Sequence, residues 1–243
     1  MGLLAAAFGA IAAASLIVGA VIALVWPVPK RELGLIMAFG SGVLISSVAY
    51  ELVEVAVGIG GQIPVAAGMG LGALVFFLGD RFIDRLGGEG MGSVNGPASP
   101  GSGLAIVLGA ALDGVPESIV LGLTIASGGQ TGLAFFAAVF LSNLPEGIAG
   151  TAGLQKGGWD KWRIIRLWGI VVIASAIASF IGATLLAGVQ GDLHAFILGF
   201  AGGAILTMLA DTLIPEAFEN AGKLAGLMTT LGFGLAFGLS LLD

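Results

Sequence analysis

The sequence predicts an all-α membrane protein of eight transmembrane helices in one domain, residues 1–243. Three observations predict it. The chain is 57% hydrophobic and only 10% charged, with a mean hydropathy of +1.07, whereas a soluble domain carries about 25% charged residues. Its apolar residues fall into eight runs near the ~20 residues that a bilayer crossing needs. All nine basic residues fall in or beside alternate connections between those runs, as the positive-inside rule asks of a multi-pass protein. The 43 glycines suit close packing of membrane helices. The absence of cysteine excludes disulfides and thiolate metal sites. A net charge of −6 leaves no nucleic-acid footprint.

The first run, 3–26, follows no basic segment, so it reads as a retained span and not a signal peptide. Lys30 and Arg31 precede the second, 33–57, which carries Glu51 and Glu54. The third, 62–84, closes on Arg81 and Arg85. Gly87 to Gly103 then reads GGEGMGSVNGPASPGSG, a Gly/Ser/Pro composition that predicts a flexible loop. The fourth and fifth runs are 102–126 and 131–153. Lys156, Lys161, Arg163 and Arg166 surround the entry to the sixth, 164–188, where Asp160 is a candidate N-cap. The seventh, 193–218, has His194 at one mouth and Asp211 and Glu216 toward the other end. Lys223 precedes most of the eighth, 222–242. The basic connections predict that both termini face away from the cytoplasm, in an integral cell membrane. Trp26, Trp159, Trp162 and Trp168 lie at the basic ends, as an interfacial belt does.

The rest of the chain is organised around two stretches inside apolar runs: Asp113-Gly114-Val115-Pro116-Glu117-Ser118 and Ser142-Asn143-Leu144-Pro145-Glu146-Gly147. A charged side chain near the bilayer centre costs roughly 2.5–3.5 kcal/mol. Proline removes a donor and frees the carbonyl four residues earlier, here Leu112 and Leu141. Asp113 and Glu117 share a helical face, as do Ser142 and Glu146, with Asn143 alongside. Carboxylate, amide, hydroxyl and freed carbonyl oxygens converging at one depth make a cation site. Glu51 and Asp211 are candidates for lining the path to it. The expected ligand is a cation.

Two internal repeats appear. A shift of 161 brings Phe39, Gly42, Ala49, Leu52 and Ala56 onto Phe200, Gly203, Ala210, Leu213 and Ala217. A shift of 29 brings Pro116-Glu117 onto Pro145-Glu146. In both cases the paired spans run in opposite directions. Inverted repeats with proline-broken helices mark transporters.

With Asp211-Thr212-Leu213-Ile214-Pro215-Glu216 following Gly199 to Ala204, the two Pro-Glu stretches resemble the fourth, fifth and seventh spans of the ZIP family of divalent-metal transporters. The resemblance implies eight spans, a homodimer, and an elevator in which the first, fourth, fifth and sixth spans carry metal past a scaffold. The sequence departs from the family's His-Asn-x-Pro-Glu-Gly pattern at Asp113 and Gly114, and Ser142 stands where His or Gln is common. Ala210 replaces a histidine before Asp211. Oxygen-only ligands suit harder cations than imidazole does. An intramembrane enzyme is the alternative class, yet the sequence offers neither a histidine base nor a Gly-x-Ser-x-Gly elbow. A non-transporting membrane sensor is a further alternative.

Overall fold

The computed structural model describes residues 1–83, 85, 102–126, 131–186 and 188–240. Eight helices and no strands are found among them. They are α1 Gly2–Val25, α2 Lys30–Gly60, α3 Gln62–Ile83, α4 Ser102–Ala126, α5 Thr131–Lys156, α6 Lys161–Leu186, α7 Gly191–Ala221 and α8 Leu224–Ser240. Five of these, α1, α2, α3, α6 and α7, are long and apolar enough to cross a membrane. α8 is a shorter apolar helix of 17 residues. The expected loop 87–103 lies outside the described residues except for Ser102 and Gly103, which open α4.

Local sequence explains the ends. α1 stops where Trp26 meets Pro27, because the residue before a proline is pushed to extended backbone; Trp26 sits at φ −131°, ψ 124°. α6 starts on Asp160, whose carboxylate accepts from the amides of Trp162 (2.9 Å) and Arg163 (3.1 Å), the N-cap expected from the sequence. Gly61 between α2 and α3, and Gly222 between α7 and α8, both take positive φ (79° and 61°). A side chain there would be strained, which is why glycine occupies both turns.

Those two glycines are 161 residues apart, and the repeat extends far beyond the residues that first showed it. The same shift carries α1 onto α6, α2 onto α7 and α3 onto α8. It also carries a π turn at Val48–Glu54 in α2 onto one at Leu209–Leu213 in α7. A third π turn, Gly182–Leu186, ends α6.

Packing divides the helices into two groups of four. α1, α4, α5 and α6 pack on one another, and α2, α3, α7 and α8 do the same. Inside each group, backbones touch through glycine. A Cβ on Gly42 would overlap the carbonyl oxygen of Thr229 in α8, and one on Gly203 would overlap that of Met69 in α3. Gly19 and Gly147 join α1 to α5 in the same manner, and Gly122 and Gly182 join α4 to α6. Without a hydrophobic force between helices in lipid, this close van der Waals approach is what associates them. Leu33, Met37, Leu44, Leu52 and Met208 fill the larger core. Trp168 departs from the belt expected of all four tryptophans. It is buried, and its indole N–H donates to Thr151 Oγ1 (2.9 Å), while Trp26 and Trp162 are exposed.

Candidate functional site

Pro116 lies inside α4 and Pro145 inside α5, and both helices continue through them. The expected breaks are absent because a proline costs one intrahelical hydrogen bond and a local clash, which tight packing in a membrane bundle absorbs. What each proline leaves is a carbonyl, of Leu112 or Leu141, without its usual helical partner.

The Pro-Glu stretches lie on α4 and α5, two helices that pack on each other and on α1. Glu117 is 2% exposed, with Ser118 buried beside it. Ser142 and Asn143 are 1% and 5% exposed, and Glu146 is half-buried. Asn143 Nδ2 donates to the carbonyl of Ala12 in α1 (3.4 Å), and Ser142 Oγ donates to that of Val139 (3.0 Å). Both bonds use hydrogens, and neither uses the oxygen lone pairs that ligate cations. Asp113 is on α4, one turn before Glu117, but its side chain lies outside the described residues. Asp113 and Glu117 share α4, and Asn143 and Glu146 share α5; the convergence of the four stays an expectation. Among the described residues no three His, Asp or Glu side chains gather closely enough to hold a metal ion.

α2 brings a second buried acid near this region. Glu51, 3% exposed, lies in the π turn and lines a cavity of ≈ 20 Å³ with Ser46, Ser47, Leu141, Leu235 and Ser240. That is room for about one water molecule. Leu141 places the cavity one residue from Ser142. One oxygen in each of the two buried acids, Oε2 of Glu51 and Oε1 of Glu117, accepts no hydrogen bond among the described residues, while each carboxylate is otherwise engaged. Glu54, three residues on in the same π turn, is exposed, as is Asp211 in the matching π turn of α7. Glu216 is buried and His194 half-buried.

Sequence reasoning found the acids and missed three features that place them. Hydropathy is blind to π turns, though these recur at functional sites. The cavity is built by three helices distant in sequence, α2, α5 and α8. The Ala12 carbonyl that takes the Asn143 amide belongs to an apolar run with no motif. The signal within reach was the 161-residue shift, which aligns α2 and α7 through both π turns.

No family model matches the chain. It is 25% identical over 191 residues, 77% of its length, to an Arabidopsis thaliana protein that carries the provisional name of zinc transporter. It is 31% identical over 116 residues, 47% of its length, to zinc transporter ZIP4 of Homo sapiens. The chain covers 30% of the first of these relatives and 17% of the second.

Proposed function

We propose that this chain is a ZIP-family transporter that moves divalent metal cations through a mid-membrane oxygen site formed by Asp113, Glu117, Asn143 and Glu146, with Ser142 at its edge. The observation that carries the reading is Glu117: a carboxylate 2% exposed in the interior of an apolar helix, with Ser142 and Asn143 also buried on a helix that packs against it. Burying a charge there is costly, and acids at such depth mark ion pathways. All nine basic residues lie at helix ends or in connections, so a metal cation is the natural counter-charge. The names of the two relatives point the same way.

Glu51 and its cavity supply a route from α2 to the site, and Asp211 is a path residue on the repeat-related helix. The native cargo is Zn²⁺ or a harder ion such as Mn²⁺, Fe²⁺ or Mg²⁺, since carboxylate, amide and hydroxyl oxygens accept all of these. The division into two glycine-locked groups supports an elevator, with α1, α4, α5 and α6 as the moving bundle and α2, α3, α7 and α8 as the scaffold of a homodimer.

The test is metal uptake by proteoliposomes loaded with a metal-sensitive dye. Wild type should carry at least one of the four ions. Glu117→Gln should lower uptake by at least the ~10–100-fold that a lost outer-shell partner costs a metal site. Wild-type vesicles indistinguishable from empty ones would refute transport. Undiminished flux through folded Glu117→Gln would refute the site while leaving transport standing.

A further inference from the structure

The basic end of α6 carries a feature that the proposed transport does not use. Arg163, Arg166, Ile170, Ile173 and Ile177 follow at steps of three and four residues, and Leu185 continues the line. They therefore form one stripe along one face. All six are exposed; Ile170, Ile173 and Ile177 are 60%, 61% and 55% exposed. The stripe is cationic at one end and branched aliphatic along the rest.

The cations are held in place. The Arg163 guanidinium lies 3.8 Å from the centroid of the Trp159 ring, a cation–π contact. Arg166 Nε donates to the carbonyl of Trp162 (3.3 Å). Lys161 Nζ is 5.8 Å from the Trp162 ring centroid. The neighbouring acid, Asp160, gives its Oδ1 to the amides of Trp162 and Arg163, so it caps the helix and faces its N-terminus. Residues 161–166 thus carry three positive charges and no acid, in a chain of net charge −6. Other exposed apolar faces carry less positive charge: α1 has no basic residue in its last turn, Arg81 of α3 adjoins Asp80, and the leucine face of α8 follows the single Lys223.

We propose that this stripe binds an anionic phospholipid. Its phosphate lies against Arg163 and Arg166, whose planar forks match phosphate oxygens, and its acyl chains lie along Ile170, Ile173 and Ile177. Charge complementarity selects a lipid with net negative charge, and the aliphatic continuation selects a lipid over a dissolved anion.

The test titrates the full chain in detergent with phosphatidylglycerol and, separately, phosphatidylcholine of the same acyl chains, read by native mass spectrometry. Phosphatidylglycerol should bind more tightly. The double variant Arg163→Gln/Arg166→Gln should weaken it by about 30-fold, from about 1 kcal/mol per basic residue at 1.4 kcal/mol per tenfold, and leave phosphatidylcholine unchanged. Arg163→Lys/Arg166→Lys should keep most of the affinity. If the double variant does not fold, Arg166→Gln alone, which keeps the Trp159 stack, should weaken binding by about fivefold. Equal affinity for the two lipids, or phosphatidylglycerol binding that neither glutamine variant weakens, overturns the proposal. So does displacement of the lipid by inorganic phosphate at constant ionic strength, which would make the arginines a soluble-anion site. A dimer that excludes lipid from this face would assign it to a second copy of the chain and overturn the proposal as well.

Discussion

Alanine at Gly42 tests whether the α2–α8 backbones touch. A Cβ there falls inside van der Waals contact with the Thr229 carbonyl oxygen by more than about 1 Å, and the Phe233 amide nitrogen is 2.8 Å away. Both obstacles are backbone, so no rotamer change clears them and the helices must part. Overpacking of this kind costs about 1–3 kcal/mol. Alanine at Gly234 is the control. It lies on α8 with no atom within 4 Å of its virtual Cβ, and there alanine gains up to about 1 kcal/mol of helix propensity. At about 2–4 °C per kcal/mol for a chain of this size, Gly42→Ala should unfold roughly 2–16 °C below Gly234→Ala. The assay is thermal unfolding in detergent, followed by circular dichroism. Equal midpoints would mean that α2 and α8 do not meet at Gly42, and the two-group description would fail with them.

Other expectations concern the site and one helix end. Metal binding requires deprotonated ligands and releases protons, so apparent affinity should fall as pH drops from 7 to 5; calorimetry with Mn²⁺ at each pH would show it, and a flat profile would exclude carboxylate ligation. Asp113→His adds an imidazole one turn from Glu117 and should move the uptake ranking toward Zn²⁺, read by competition in vesicles; an unchanged ranking would remove Asp113 from the ligand set. Asp160→Ala deletes two cap hydrogen bonds and should cost about 1 kcal/mol of stability in chemical denaturation.

Much of the fold was legible because spans are written in hydropathy. Runs 3–26 and 62–84 became Gly2–Val25 and Gln62–Ile83. The second run, read as starting at residue 33, starts at Lys30, because charged first-turn residues extend a helix without adding apolarity. The site was legible only as acids at improbable depth. Glu51 and Glu54 stand three apart and would share a face of an α-helix, yet one is buried and the other exposed. They lie in a π turn, whose wider winding sends such residues in different directions. The partner of Asn143 was equally hidden: it is a backbone carbonyl, and every residue has one.

The glycine contacts also differ in how firmly they interlock neighbouring helices. Where one backbone seats in a notch of another, as at Gly42 and Gly203 or Gly19 and Gly147, translation must first lift the helices apart, like meshed teeth. At the boundary between the two groups, α2 passes α5 differently. A Cβ on Gly40 would stand 3.5 Å from Ser142 Cα, 3.7 Å from the Leu141 oxygen and 3.9 Å from Pro145 Cγ, at ordinary contact distance with nothing seated. Nothing interlocks there, and the contact lies against Leu141, Ser142 and Pro145 of α5. The elevator proposed above would have to slide at this contact, where neither backbone is seated in the other.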